Sequence, residues 1–132
     1  DGSEEYWDRA LSTQAPDLSY DVYVADLGSS PVATFRRVSN SSGLTTDRVY
    51  VIYRTASGEV QVISGSEPDQ PSQMPGDPAP VTVEVAGTRW YVETGPGGVQ
   101  GSARLGRTVV TIAAPDQELF QRAASTLRLW HP

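Results

Sequence analysis

The chain has 132 residues and no cysteine, and its formal net charge is −6, with 38% hydrophobic and 20% charged residues. This length suits one domain with a single core, so we expect residues 1–132 to form one domain. The lack of cysteine excludes disulfides, thiolate nucleophiles and cysteine metal sites. Every basic residue apart from the histidine is arginine, so lysine chemistry is excluded as well.

The negative charge is concentrated early in the sequence. Residues 1–26 hold seven acids against the single Arg9, and the other arginines are scattered among predicted strands. Phosphate binding requires a basic face, so we expect no nucleic-acid partner and interpret these arginines as solvated outer faces of a sheet. The sequence has no run of 18 apolar residues that would predict a transmembrane helix.

The first predicted element is a short helix at residues 4–14, which ends before Pro16 because proline cannot continue a helix. Residues 18–27 alternate apolar and polar side chains, so they are predicted to be extended. A glycine, two serines and a proline then predict a loop at 28–31.

Three strands are predicted in the middle of the chain, at 32–39, 47–55 and 59–64, with a polar loop at 40–46. The strand at 47–55 has large apolar side chains on both faces, so we expect it to be central in its sheet. Residues 67–80 contain five prolines and are predicted to be a surface loop. A proline-rich recognition peptide is the alternative for this segment.

A hairpin is predicted next, because strands 81–86 and 88–93 alternate apolar and polar positions on either side of Ala86-Gly87. A glycine-rich crossing follows at 95–101, and a strand at 107–113. The glycines fit neither a dinucleotide fingerprint nor a Walker loop, so they are interpreted as turn and bulge positions.

The last predicted element is a helix at 116–128. Its apolar positions fall on one stripe, formed by Leu119, Phe120, Ala123, Ala124 and Leu127. The sequence therefore predicts an α+β domain. It consists of a twisted antiparallel sheet of six or seven strands, a C-terminal helix packed on one face and the short N-terminal helix at an edge.

The sequence lacks the residue groups that announce a catalytic mechanism. Its only histidine is His131, and without another it cannot form a Ser-His-Asp triad or a zinc site. A carboxylate-based hydrolase stays open in principle, although no pair of acids is singled out. We therefore predict a protein that is not an enzyme and has no catalytic residues, metal or cofactor.

The aromatic residues are the most distinctive candidates for a binding site. They are Tyr50, Tyr53, Trp90, Tyr91 and Phe120, which could line a groove between sheet and helix. A small apolar or lipid-like molecule is the ligand that such a groove would hold. The alternative is that these side chains form core and cross-strand packing.

Five segments, in chain order, carry a resemblance to a known group of domains. They are Tyr6-Trp7, Tyr20-Asp21-Val22-Tyr23-Val24, Glu59-Val60-Gln61-Val62, Val83-Glu84-Val85-Ala86-Gly87-Thr88-Arg89-Trp90 and Glu118-Leu119-Phe120-Gln121-Arg122-Ala123-Ala124-Ser125-Thr126-Leu127. Together they resemble extracytoplasmic domains of unknown function in membrane-anchored proteins of actinobacteria and related Gram-positive bacteria. Such domains are also appended to some anti-sigma-factor and sporulation proteins.

The resemblance implies an outward-facing domain tethered to the cell membrane by an upstream transmembrane helix, and it implies no catalytic residues. Our leading hypothesis is therefore a non-enzymatic interaction or sensory module, which binds a protein or an envelope component and is itself a monomer. A carrier of a lipid-like ligand is the second hypothesis, and a hydrolase is the third.

Overall fold

The computed structural model describes residues 20–41, 44–66 and 81–130, and within 39–46 it describes the backbone alone. The predicted helix at 4–14 and the proline-rich loop at 67–80 lie outside the described residues. The described chain is mostly antiparallel sheet with one C-terminal helix, as the sequence predicts.

The strands, in chain order, are β1 (Tyr23–Val24), β2 (Ala33–Ser41), β3 (Leu44–Thr55), β4 (Gly58–Gly65), β5 (Val81–Val85), β6 (Thr88–Gly95), β7 (Gly98–Leu105), β8 (Thr108–Ala114) and β9 (Arg128–Leu129). The helix, α1, is Gln117–Ser125. Seven strands form one sheet in the order β2-β3-β4-β8-β7-β6-β5, and β1 pairs separately with β9. All neighbours are antiparallel, so two meanders meet where β8 returns to pair with β4.

Strict alternation along the strands creates one apolar face, which we call the core face. Its apolar side chains with at most 1% exposure are Val49, Val51, Tyr53, Val60, Val62, Trp90, Ala103, Val110 and Ile112. The predicted inward direction of Val60 and Val62 is confirmed, as is the opposite direction of Tyr50 and Ile52. Burying a side chain of this size contributes about 1.5–3 kcal/mol, so the core face dominates the stability of the fold.

The predicted hairpin at Ala86-Gly87 is confirmed. The φ angles of these two residues are 52° and 84°, which is the left-handed backbone of a type I′ turn. Such a turn matches the twist of the flanking strands, so β5 and β6 pair without a bulge from Val85↔Thr88 to Val81↔Val92.

Four of the predicted segments differ from the structure. The prediction of a glycine-rich crossing at 95–101 is wrong. The chain makes a tight turn at Pro96-Gly97 and then forms a strand, β7, that was not predicted. The prediction of a polar loop at 40–46 is also wrong, since the pairing of β2 with β3 continues to Ser41↔Leu44. The strand at 47–55 is interior but second from the edge, and the helix ends at Ser125, before the predicted 128.

The segment at 20–27 does not join the large sheet as a strand but covers its core face. Its Tyr20, Val22, Val24, Ala25 and Leu27 are buried, and only β1 pairs with another strand. Because this backbone lies flat on the sheet, its amides need partners there.

Three polar side chains of the sheet accept hydrogen bonds from alternate amides of this segment. Asp21 N donates to Thr108 Oγ1 at 2.7 Å, Tyr23 N to Ser64 Oγ at 3.0 Å, and Ala25 N to the Tyr53 hydroxyl at 3.0 Å. These bonds explain why Ser64 and Thr108 are polar although both are fully buried. Burial raises the pKa of Tyr53, so its hydroxyl stays neutral as an acceptor.

Helix α1 covers the rest of the core face through Phe120, Ala123 and Ala124, all buried. Asp116 caps the helix by accepting a hydrogen bond from Leu119 N at 2.9 Å. The Phe120 ring lies edge-on to Trp90, with centroids 5.6 Å apart. It reaches the sheet because Gly101 has no side chain: a Cβ there would lie 2.5 Å from two Phe120 ring atoms.

We predict that Gly101→Ala lowers the free energy of unfolding by about 1–3 kcal/mol, because the buried Phe120 ring has no room to move away. Urea unfolding measures this value. The matched control is Gly97→Ala, where an added Cβ meets nothing within 4 Å, and its effect should be within about 0.5 kcal/mol. Equal effects of the two variants would contradict the proposed close contact.

Asp47 joins the covering segment to the sheet edge. Its carboxylate accepts two hydrogen bonds from Arg36, at 3.0 and 2.6 Å, and one from the Tyr20 hydroxyl at 2.8 Å. The Arg36 hydrogen bond, with a smaller contribution from Tyr20, holds the pKa of Asp47 below its ordinary value of 3.8. The charged carboxylate therefore stabilises the fold above that value, and this contribution is lost as pH falls through the lower, folded-state pKa.

We predict that Asp47→Asn lowers the free energy of unfolding by about 1–2 kcal/mol at neutral pH, because the charged acceptor is lost. The variant should also lose less stability than the parent on acidification from pH 5 to about 2. Urea unfolding across this range is the measurement, with the exposed Glu93→Gln as control. Parallel stability curves for Asp47→Asn and the parent would show that Asp47 does not make this contribution.

Candidate binding face

The five aromatic residues predicted to line one groove lie on opposite faces of the sheet. Tyr53, Trp90 and Phe120 are in the core, with exposures of 1%, 1% and 0%. Tyr50 and Tyr91 are half-buried on the other face, because they alternate with core residues along β3 and β6. The structure therefore places three of them in the core, where Trp90 contacts Phe120 of α1, and separates the other two from that set.

Two of the three core residues join the helix to the sheet, since Phe120 belongs to α1 and Trp90 to β6. Phe120 fills the position that a side chain at Gly101 would take, and it packs on Trp90. Trp90 Nε1 is buried and has no hydrogen-bond partner in the described chain. Helix and sheet are in contact at this point, which argues against a groove for a lipid-like ligand there. Native mass spectrometry for a co-purifying lipid remains its test.

The opposite side of the sheet, which we call the open face, has no helix or covering segment from the described chain packed on it. The strand registers place one row of side chains across six of its strands. This row, named the aromatic row, is Phe35, Tyr50, Ile63, Thr111, Ser102 and Tyr91. Five strand intervals of about 4.8 Å give it a length of roughly 24 Å.

The aromatic row has rings at its two ends and hydroxyl groups between them. Phe35 and Tyr50 stack in parallel, with centroids 4.8 Å apart and planes within 8°. Ser102 Oγ and Thr111 Oγ1 lie 3.0 Å apart in a hydrogen bond. Phe35 is 41% exposed, so its ring is accessible to a partner.

A second row of the open face is basic. Arg37 and Arg48 are directly opposite each other on β2 and β3, followed across the sheet by Gly65 and Val109. Arg104 lies opposite Val109. Arg89 on the neighbouring strand β6 and Arg104 on β7 each lie two residues beyond the Tyr91↔Ser102 pair. We call these four arginines the arginine row.

Like charges directly opposite in a sheet are destabilising, so the Arg37–Arg48 pair lowers the stability of the unbound protein. Arg48 and Arg104 have interaction partners of their own. Arg37 and Arg89 are exposed and form no hydrogen bond or ion pair within the described chain. Both ends of the arginine row therefore present guanidinium groups to solvent.

The open face carries more arginine than acid. In the described chain its charged side chains are five arginines and three glutamates: Arg37, Arg48, Arg54, Arg89, Arg104, Glu59, Glu84 and Glu93. The charged side chains on the other side of the described sheet are nearly balanced, with five acids and four arginines: Asp21, Asp26, Asp47, Asp116, Glu118, Arg36, Arg107, Arg122 and Arg128.

The described residues contain no group of three or more histidine, aspartate and glutamate side chains that could hold a metal ion. Within the same residues, α1 is far too short to be a membrane span, and no other helix is present that could be one.

Searches for similar proteins found no matching family model, curated protein or solved structure. The candidate site therefore depends on its own geometry. Sequence reasoning proposed Tyr50 and Tyr91 but missed Phe35, Ile63, Ser102 and Thr111. Phe35 and Arg37 lie two residues apart on one predicted strand, and this spacing was a usable signal that they share a face. The aromatic row itself became recognisable only with the strand order.

Proposed function

We propose that this chain is a non-enzymatic binding module, and that the open face is its binding surface. One observation carries the proposal: a sheet face about 24 Å across combines the stacked rings of Phe35 and Tyr50, of which Phe35 is exposed, with two exposed arginines, Arg37 and Arg89, that form no hydrogen bond or ion pair within the described chain. Exposed aromatic and arginine side chains are the residue types that contribute most to binding surfaces.

A catalytic role is not part of the proposal because of the residue inventory. Nucleophilic catalysis requires a nucleophile beside a base, and the sequence offers one histidine and neither cysteine nor lysine. A binding role needs only a surface whose side chains match a partner, and the open face provides both stacking rings and charged donors.

We further propose that the module lies outside the cell membrane, tethered through an upstream anchor, and acts as a monomer. The support is the resemblance of its segments to extracytoplasmic domains of membrane-anchored proteins. Protease treatment of intact cells tests this location, since an outward-facing domain is digested without lysis. Protection of the domain until the cells are broken would contradict it.

The binding role predicts that the immobilised domain retains a defined envelope component through the open face. Phe35→Ser combined with Tyr91→Ser should reduce retention at least about fivefold, because one ring is lost at each end of the aromatic row. The component is identified by mass spectrometry and carbohydrate analysis, purified, and tested again for direct binding.

The matched control is Leu129→Ser, an apolar-to-polar change at a residue of similar exposure, 39% against 41% for Phe35, on the opposite side of the molecule. Retention should be unchanged in this variant. If nothing is retained specifically, or if Leu129→Ser reduces retention as strongly as the open-face variant does, the proposed function is wrong.

A further inference from the structure

We infer that the partner of the open face is a protein that adds an extended segment to the sheet at the outer side of β2. This inference rests on the proposed function and specifies the class of its partner. The added strand runs antiparallel to β2, since antiparallel pairing is the more stable kind and all neighbours in this sheet use it. It has apolar side chains beside Phe35 and at both ends, and an acidic side chain opposite Arg37.

The backbone of β2 is open to such a strand. β2 is the longer of the two edges of the seven-stranded sheet, with nine residues against five in β5. It pairs with β3 in one unbroken register from Ala33↔Ile52 to Ser41↔Leu44, and no strand of the described chain pairs with its outer side. An edge strand turns the N–H and C=O groups of alternate residues outward, where they are a template for another strand. The edge is about 30 Å long.

The side chains along β2 add apolar contacts to this template. Five large apolar side chains are exposed in the described chain, and three of them, Val32, Phe35 and Val38, lie at this edge. Phe35 belongs to the open face, and Val38 lies on the other side of the sheet by alternation. An added strand is therefore contacted on both sides. Proline and bulges, two devices that protect sheet edges, are absent from residues 33–38.

The charges of β2 favour an acidic partner. Arg36 is already paired with Asp47, whereas Arg37 is exposed and forms no hydrogen bond or ion pair within the described chain. On its inner side Arg37 faces Arg48, which is a like charge. Opposite charges directly across a strand pair are favourable, so an acidic side chain on the outer side supplies the charge that Arg37 lacks.

A second copy of this chain fits the edge less well. Residues 32–38 include two arginines and no acid, so two paired copies of β2 bring four arginines together. A two-fold pairing centred on Arg36 or Arg37 sets like charges directly opposite each other. The pairing centred on Phe35 avoids this, but it sets Arg37 opposite Ala33 and gives it no acid. The charges therefore favour a different chain.

A peptide designed to lie opposite residues 38 to 32 tests the inference. Its sequence is acetyl-Val-Glu-Thr-Tyr-Thr-Thr-Val-amide, which sets apolar or aromatic residues opposite Val38, Phe35 and Val32 and the glutamate opposite Arg37. The isotope-labelled full chain is titrated with this peptide, and the NMR shifts of the backbone amides give both the location and the affinity. We expect saturable shifts concentrated on β2, and no shift at millimolar peptide would overturn the inference.

Two N-methylated peptides distinguish strand addition from contact through side chains alone. One is methylated on the amides of its even-numbered residues and the other on those of its odd-numbered residues. Successive amides of a strand point in opposite directions, so only one of the two sets faces β2. We expect one peptide to lose detectable binding and the other to keep it. Equal binding of the two would contradict pairing with the edge.

A charge exchange locates the acidic position. Arg37→Glu should lower the affinity for the peptide at least about threefold, because an exposed attraction becomes a repulsion. A peptide with lysine in place of the glutamate should bind Arg37→Glu more tightly than it binds the parent. The matched control is Arg89→Glu, which changes the other exposed arginine of the open face.

Arg89 lies five strand intervals away, about 24 Å, so the control should leave the affinity within about twofold. Equal losses in Arg37→Glu and Arg89→Glu, or a lysine peptide that does not prefer Arg37→Glu, would overturn the inference.

Amide hydrogen exchange of the free chain tests the other occupants of the edge. The outward amides of β2 should exchange rapidly without the peptide and more slowly with it. Protection in the free chain that increases with protein concentration would assign the edge to a second copy. Protection at every concentration would assign it to another segment of this chain. Either result would overturn the inference.

The proposed function is tested separately, by retention of an envelope component. If the peptide does not bind but retention still depends on Phe35 and Tyr91, the inference of an added strand fails while the proposed function stands. If retention does not depend on these two residues either, both fail.

Discussion

The close approach of α1 to the sheet at Gly101 is the contact on which the rest of the structure depends. Phe120 can pack on Trp90 only because β7 has no side chain at that position. This contact fixes which face of the sheet is the core. Since side chains alternate along each strand, it also assigns every neighbouring residue, such as Tyr91, to the opposite face.

On the covered side of the sheet, polar side chains provide hydrogen-bond acceptors at regular intervals. The segment at 20–27 cannot use the ladder of the large sheet, so Thr108, Ser64 and Tyr53 accept hydrogen bonds from its alternate amides. Leaving a buried amide without a partner costs about 1–3 kcal/mol, which explains why hydroxyls occur in an otherwise apolar core. The open face has no such requirement, and Phe35, Arg37 and Arg89 are exposed on it.

Much of the fold was predictable because its signals are local. The turn at Ala86-Gly87, the two faces of β3 and the apolar stripe of α1 all follow from residues close in sequence. Strand β7 was missed because its inward positions include Gly101 and Ala103, which carry almost no apolar signal. The two rows of the open face depend on the pairing of β4 with β8, and such non-consecutive pairing is not encoded in local periodicity.

One face of the sheet stabilises the fold, and we propose that the other face binds a partner. The adjacent residues Trp90 and Tyr91 test this claim most directly, because they are similar in type and lie on opposite faces. Urea unfolding should show a loss of about 3–5 kcal/mol for Trp90→Ala and less than about 1 kcal/mol for Tyr91→Ala. Comparable losses for the two variants would contradict the separation of the two faces.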